Sequence, residues 1–273
     1  MRLKAKEATK DAEAESTEQR AEGGFWEQVT TLTLAVLIAL CVRQFVIEPF
    51  RIPSGSMFPT LLIGDHLFVN KFIYGPKIPF TEIRLPGLRK PERGEVVVFT
   101  VAKRGGDTFP ADREPQFSRE EFVKRIIGLP GDEIDFRNGK YYVNGAAIET
   151  EPLGVVFEDP KGMLLDVSEV SLGPRSFRIL DDPYNPGPMR TTEGAAISWP
   201  IRVEEGRYLM LGDNRDHSKD SRVWGTVRLA EIKGPAFIIY WSWDFNGGWL
   251  EVLNPLTWFT VEKRWDRIGD LLF

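Results

Sequence analysis

The rhythm of apolar and polar positions changes twice along this chain. Met1 to about Gly24 carries hardly any large apolar side chain among its Ala, Glu, Lys, Arg and Thr residues. Residues 1–24 therefore bury too little surface to offset the entropy of ordering, and a disordered polar tail is expected. From Val29 to Ile47 the positions are mostly apolar, interrupted by Thr30, Thr31, Thr33, Arg43 and Gln44. About nineteen helical residues at 1.5 Å each reach roughly 28 Å, enough to span a bilayer core. The threonine hydroxyls can bond back to helix carbonyls and Arg43 can snorkel to an interface, so residues 25–47 read as a transmembrane anchor. A buried core helix is the alternative for a run of this length.

Beyond Pro49 the rhythm is that of strands. Short β-branched or aromatic runs, such as Val96-Val97-Val98-Phe99, Tyr141-Tyr142-Val143 and Phe237-Ile238-Ile239-Tyr240, are separated by Gly, Pro, Asn and Asp. Asn138-Gly139 and Asn144-Gly145 are tight-turn signals that predict a hairpin series over Ile134 to Ile148. Neither solenoid repeats nor βαβ alternation is present. The expected fold is mainly β: an antiparallel sheet domain in two parts, 48–134 and 205–273, interrupted by a smaller inserted β-domain at 135–204 and carried on an N-terminal transmembrane helix.

Composition removes several function classes. The net charge is -5, and the basic residues are scattered among acidic ones, which argues against a nucleic-acid binder. A single cysteine, Cys41, allows no internal disulfide and no cysteine-based metal site. Two histidines, His66 and His217, leave a His-based site short of ligands, so no metal and no cofactor are expected. The polar leader is too long for a cleaved secretory signal, and no small-X-small site closes the apolar run. The anchor should persist. Leu40 before Cys41 spoils a lipoprotein-type cleavage box.

Three polar segments carry candidate chemistry. In Ile52-Pro53-Ser54-Gly55-Ser56-Met57-Phe58-Pro59-Thr60-Leu61 two prolines restrict the backbone and Gly55 permits a turn, which would present Ser56 rigidly beside a free N–H. Taken alone, a plain turn accounts for the same residues. In Glu121-Phe122-Val123-Lys124-Arg125-Ile126-Ile127-Gly128-Leu129-Pro130-Gly131-Asp132, strand alternation puts Phe122 and Lys124 on one face. Such a lysine is either a snorkelling surface residue or, buried beside a hydroxyl, a neutral base. The third segment, Gly212-Asp213-Asn214-Arg215-Asp216-His217-Ser218-Lys219-Asp220-Ser221-Arg222, reads by itself as a solvated loop.

Together the three segments resemble the type I signal peptidases, in order and in spacing, from about Phe45 to the carboxyl end and most weakly in the middle domain. The resemblance implies a membrane-bound serine endopeptidase that cuts signal peptides from exported preproteins after small-X-small sites. It implies Ser56 as nucleophile, Lys124 as general base, and Ser54 with the Ser56 N–H as oxyanion hole. Ser218 matches the serine that hydrogen-bonds the lysine amine, and Asp220 with Arg222 a supporting ion pair. Phe50, Ile52, Pro53, Leu61, Phe122 and Val123 match substrate-pocket positions. The implied partners are preproteins, membrane lipid and nearby export machinery. The implied setting is a bacterial inner membrane, with a cytoplasmic amino terminus and the catalytic domain on the periplasmic side. Val123 stands where isoleucine is common and His217 where asparagine is common.

His217 also offers a rival triad with Ser and one of Asp213, Asp216 or Asp220, though the motif match puts the lysine at the base position. Two further alternatives are self-cleavage of the SOS-repressor kind and a non-catalytic membrane-anchored scaffold. The cluster Tyr240-Trp241-Ser242-Trp243-Asp244-Phe245, with Trp249 and Trp258, fits either a membrane interface or a β-core.

Overall fold

The computed structural model describes residues 24, 26–78, 81, 83–104, 107–110, 116, 118–185, 198–244 and 261–272. The polar tail before Gly24, together with Phe245, Trp249 and Trp258, lies outside the described residues. The chain divides after Val46 into two units. In the first, helix α1 runs from Trp26 to Phe45, twenty residues, long and apolar enough to cross a bilayer at about 1.5 Å per residue. Thr30 and Thr31 donate to the carbonyls of Trp26 and Glu27, each at 2.8 Å. Their hydroxyls are thus satisfied within the helix. Ile47, expected to close the helix, instead opens the first strand.

Residues 47–273 form the second unit. Its strands are β1 (Ile47–Arg51), β2 (Asp65–Asn70), β3 (Val96–Arg104), β4 (Asp107–Pro110), β5 (Ser118–Gly128), β6 (Glu133–Arg137), β7 (Lys140–Val143), β8 (Ala146–Ala147), β9 (Glu149–Glu158), β10 (Leu164–Leu172), β11 (Arg175–Asp181), β12 (Ile201–Arg202), β13 (Arg207–Leu211), β14 (Val227–Arg228) and β15 (Ile232–Ser242), with a one-turn helix α2 at Ser221–Trp224. The large sheet has the order β1-β2-β15-β3-β5-β13-β14, with β4 beside β3. All its pairings are antiparallel.

Strand β3 explains why its sequence is apolar throughout. Val96 and Val98 point into a cluster with Leu67, Val69 and Val123. Val97, Phe99 and Val101 point the other way, toward Ile126, Tyr208 and Trp224. A strand covered on both faces needs no polar alternation.

Strands β6 to β12, from Glu133 to Arg202, build two small sheets, β12-β6-β7-β8 and β11-β10-β9. Asn138-Gly139 and Asn144-Gly145 turn the β6-β7-β8 hairpins with positive φ at both positions of each pair, as the type I′ turn requires. Apolar residues of both small sheets, among them Ile134, Tyr141, Val170 and Phe177, enter one cluster with Ile127, Leu209 and Leu211 of the large sheet. Arg125 on β5 stacks 3.9 Å over the ring of Phe177 on β11. The insertion therefore shares a core with the sheet it interrupts. Of the aromatic cluster, Trp243 is buried and donates to His66 Nε2 at 3.2 Å. Tyr240 stacks on Phe68, centroids 4.2 Å apart.

Candidate active site

Ser56 lies in a single 3-10 turn, Gly55–Met57, soon after the edge strand β1. The approach is fixed by Ile52 N donating to Asp65 O at 2.8 Å and Gly64 N to Ile52 O at 3.1 Å. Met57 and Leu61 are fully buried and anchor the turn from below. Gly55 is required by space. A Cβ there would lie 2.5 Å from the Phe58 ring, and that ring packs on Phe157 of β9 at 5.4 Å.

Lys124 arrives on β5, opposite Val97 of β3. Its Nζ lies 2.5 Å from Ser56 Oγ, donates to the Val123 carbonyl at 2.9 Å and sits 5.5 Å from the centroid of the Phe122 ring. The side chain is 2 % exposed. Burial pushes its pKa down to about 8, against the nearby carboxylates of Asp220 and Asp213, which favour the charged form. A neutral amine at this distance can accept the serine proton. Ser54 is exposed, its Oγ 3.4 Å from Ser56 Oγ.

The lowered value sets a sign for stability. Lysine holds its proton less tightly in the folded than in the unfolded state, so the penalty is fully present below about pH 8 and fades as pH rises to the unfolded value of about 10.4. At 1.36 kcal/mol per unit the penalty is about 3 kcal/mol. Lys124→Met is expected to stabilise the protein at pH 6, with the gain vanishing near pH 11. A gain of equal size at both pH values in denaturant titrations would contradict the buried, depressed lysine.

The 212–222 loop reverses the expectation of a solvated segment. Asp213, Asn214, Arg215, Asp216, Ser218, Asp220, Ser221 and Arg222 are all buried. Burial is tolerated because most of their polar groups face partners. Asp213 accepts from Arg125 Nε at 2.9 Å and Nη2 at 2.7 Å, and from Thr60 Oγ1 at 2.6 Å. Asn214 clamps the nucleophile turn, donating from Nδ2 to Gly55 O at 3.1 Å and from its backbone N–H to Ser56 O at 3.2 Å. Asp220 accepts from Arg222 Nε at 2.7 Å, Arg222 Nη2 at 2.8 Å and Gly212 N at 2.9 Å. Arg222 reaches on to Tyr141 Oη at 3.1 Å and the Arg215 carbonyl at 2.5 Å.

Several implied positions differ from expectation. Ser218 is buried beside the Ser56 turn, yet its Oγ has no hydrogen-bond partner among the described residues. The bond to the lysine amine is not made here; Lys124 Nζ meets Ser56 Oγ and the Val123 carbonyl. Ser218 instead crowds Gly212, where a Cβ would meet its Oγ at 2.2 Å and the Ser56 carbonyl at 2.5 Å. His217 pairs with Asp182 through Nε2 at 3.0 Å, so the rival triad is not assembled. The Asp220–Arg222 ion pair is present at 2.7 Å.

A cleft of about 630 Å³ opens over Ser56 and Lys124. Phe50, Pro53, Ser54, Phe122 and Val123 line it. Ile52 and Leu61, expected in the pockets, are fully buried behind it in the cluster that holds Val123. They back the wall rather than form its surface. Lys233 on β15 binds Glu48 of β1 at 2.9 Å and also Glu121 of β5, tying the two sides of the cleft together.

Residues 25–241 match the profile of the family described as signal peptidase, peptidase S26. The chain belongs to that signal peptidase family. It is 36% identical over 223 residues to a signal peptidase I of Pseudomonas aeruginosa, covering 76% of this chain and 69% of the relative. It is 34% identical over 225 residues to a probable signal peptidase I-2 of Synechocystis sp., covering 82% and 77%. With a signal peptidase I of Rickettsia typhi it shares 30% identity over 265 residues, covering 90% and 94%. Membership makes the chain a serine peptidase, a hydrolase.

Within this signal peptidase framework, sequence reading passed over Asn214, Thr60, Tyr141 and the Arg125–Asp213 pair. One signal was available. Arg125 follows Lys124 in a strand flanked by Ile126 and Ile127, and a charge at a position that alternation turns into a core demands a buried counter-ion. The β9–β10 turn, which places Asp159, Pro160, Lys161 and Met163 on the cleft, carried no signal at all.

Proposed function

We propose that the protein cleaves N-terminal signal peptides from exported preproteins after small-X-small (Ala-X-Ala-like) sites, with Ser56 as nucleophile and Lys124 as general base. The observation that carries this reading is the buried Lys124 amine, 2.5 Å from Ser56 Oγ on the cleft floor. Neutral Lys124 takes the Ser56 proton as Oγ attacks the scissile carbonyl. Ser54 Oγ and the Ser56 N–H stabilise the oxyanion. The ammonium then protonates the leaving amine, and the freed amine deprotonates the water that hydrolyses the acyl-enzyme. Asp220 and Arg222 hold the buried loop beside the base through their ion pair, and the Asp220 carboxylate acts on the Lys124 amine through its charge.

Substrate choice follows from the sheet edge. Among the described residues, 118–124 of β5 pair with β3 on one side only, since β13 joins at Arg125 and beyond. A substrate strand added along this edge turns its residues one and three before the cut to one face. There Val123 and Phe50 leave room for small side chains. Helix α1 serves as a single-pass anchor in a bacterial inner membrane, with the amino terminus cytoplasmic and residues 48–273 on the periplasmic side near the export machinery. An anchored enzyme meets membrane-held preproteins at raised effective concentration.

The test is processing of a radiolabelled preprotein by detergent-solubilised protein, with sequencing of the new amino terminus. Cutting after the small-X-small site is expected, at a rate that climbs with pH toward about 8 as Lys124 loses its proton. No cut, or a profile governed near pH 6.5, the ordinary histidine value, counts against the dyad. Val123→Ala should deepen the wall and admit a Val before the cut, worth about 1 to 3 kcal/mol in discrimination. An unchanged amino-terminal sequence distribution from a multi-site precursor would remove Val123 from the pocket.

A further inference from the structure

The lining of the cleft is asymmetric about Ser56. One part is the open edge of β5 with Phe122 and Val123, where an extended chain finds backbone partners. The other includes the β9–β10 turn and the exposed side of the 212–222 loop, with Lys161 and Lys219 on its surface. On the peptidase reading the substrate follows β5 as far as Ser56, and this second part is the lining left for the chain beyond the scissile bond.

The turn is a built feature. Asp159 is buried, and its Oδ1 accepts from the backbone N–H groups of Lys161 and Met163, both at 2.8 Å. Gly162 N donates to Asp159 O at 2.9 Å. Below it Phe157 and Leu165 pack in one cluster with Phe58 of the nucleophile turn, so the turn is held in register with Ser56. The Asp159 carboxylate is buried and turned inward to two N–H donors, whereas the Lys161 side chain is exposed on the cleft surface. On the β5 part, Glu120 is paired with Lys103 at 2.8 Å and Glu121 with Lys233.

We propose that the β9–β10 turn is the subsite for the first residues of the released chain, and that Lys161, assisted by Lys219, selects acidic side chains there. This rests on the peptidase reading above and adds a substrate preference after the cut. The Lys161 bond to Asp159 is made by the backbone N–H, so substitutions of the side chain keep the turn.

Three preproteins that differ only at the second and third residues after the cut, Glu-Glu, Ala-Ala and Lys-Lys, provide the test with full-length protein in detergent. At low salt the wild type is expected to prefer Glu-Glu over Lys-Lys in kcat/KM by about fivefold, the scale of exposed charge pairs. High salt should flatten the ratio. Lys161→Glu should invert it and Lys161→Gln should bring it near one. Equal rates for all three substrates in the wild type, or an unaltered ratio in Lys161→Glu, overturns the subsite while leaving the peptidase reading intact. Failure of the wild type to cut any of them overturns that reading and the subsite with it.

Discussion

Lys124→Arg should lower preprotein processing by about 10³-fold or more, nearly matching Lys124→Ala and Ser56→Ala. A guanidinium keeps its proton at any ordinary pH, so retaining the positive charge does not retain the base. The replacement also enlarges a side chain that is 2 % exposed and wedged between Ser56 and the Phe122 ring. Circular dichroism of the three variants separates lost chemistry from lost fold. Processing by the Arg variant within tenfold of wild type would take Lys124 out of the mechanism and reopen the search for a base. Equal loss in Ser54→Ala and Ser56→Ala would question which serine attacks, since losing one oxyanion donor is expected to cost only about 2.7 to 4 kcal/mol.

The second large effect belongs to Asp220. Its carboxylate is fully buried, receives both arms of a buried Arg222, bonds Gly212 N and caps α2 through Arg222 N. Asp220→Ala leaves a buried guanidinium without its counter-ion, and about 3 to 5 kcal/mol of stability should be lost. That is a large part of the roughly 5 to 15 kcal/mol of a typical domain. Replacing both partners, Asp220→Leu with Arg222→Met, should recover much of it, because the deficit comes mainly from the orphaned charge. Denaturant midpoints decide the matter: a single-variant loss under about 1 kcal/mol would show the pair to be dispensable. Asp220 also favours charged Lys124, so a folded Asp220→Asn variant should shift the rising limb of the pH profile to lower pH.

Much of the fold was legible because β-sheets write themselves locally. The Asn-Gly pairs fixed two hairpins, and the length of the apolar run located α1 to within a few residues. Ser56, Lys124, Asp220 and Arg222 were legible only through the joint resemblance of three segments, since each segment alone fits a turn, a strand or a loop. The structure then places those residues together. What stayed hidden shares a cause. The polar character of residues 212–222 describes side chains, whereas their burial depends on partners such as Thr60, Arg125 and Tyr141 that lie 81 to 153 positions away. Ile52 shares that cause: the resemblance puts it at the substrate pocket, and only long-range packing shows it buried in the core cluster that holds Val123.

The position of β15 in the large sheet bears on the order of events during synthesis. It lies between β2 and β3, which do not pair with each other. Ser56 follows β1, on the β1-β2 side, and Lys124 stands on β5, on the β3-β5 side. A ribosome delivers β15 only when Ile232 to Ser242 has emerged, so until then Ser56 and Lys124 belong to separate pieces of sheet. Such non-local pairing forms late in folding. Completion of the sheet that carries both therefore waits for a strand far downstream of either residue, and the two are aligned within one sheet only when that strand docks.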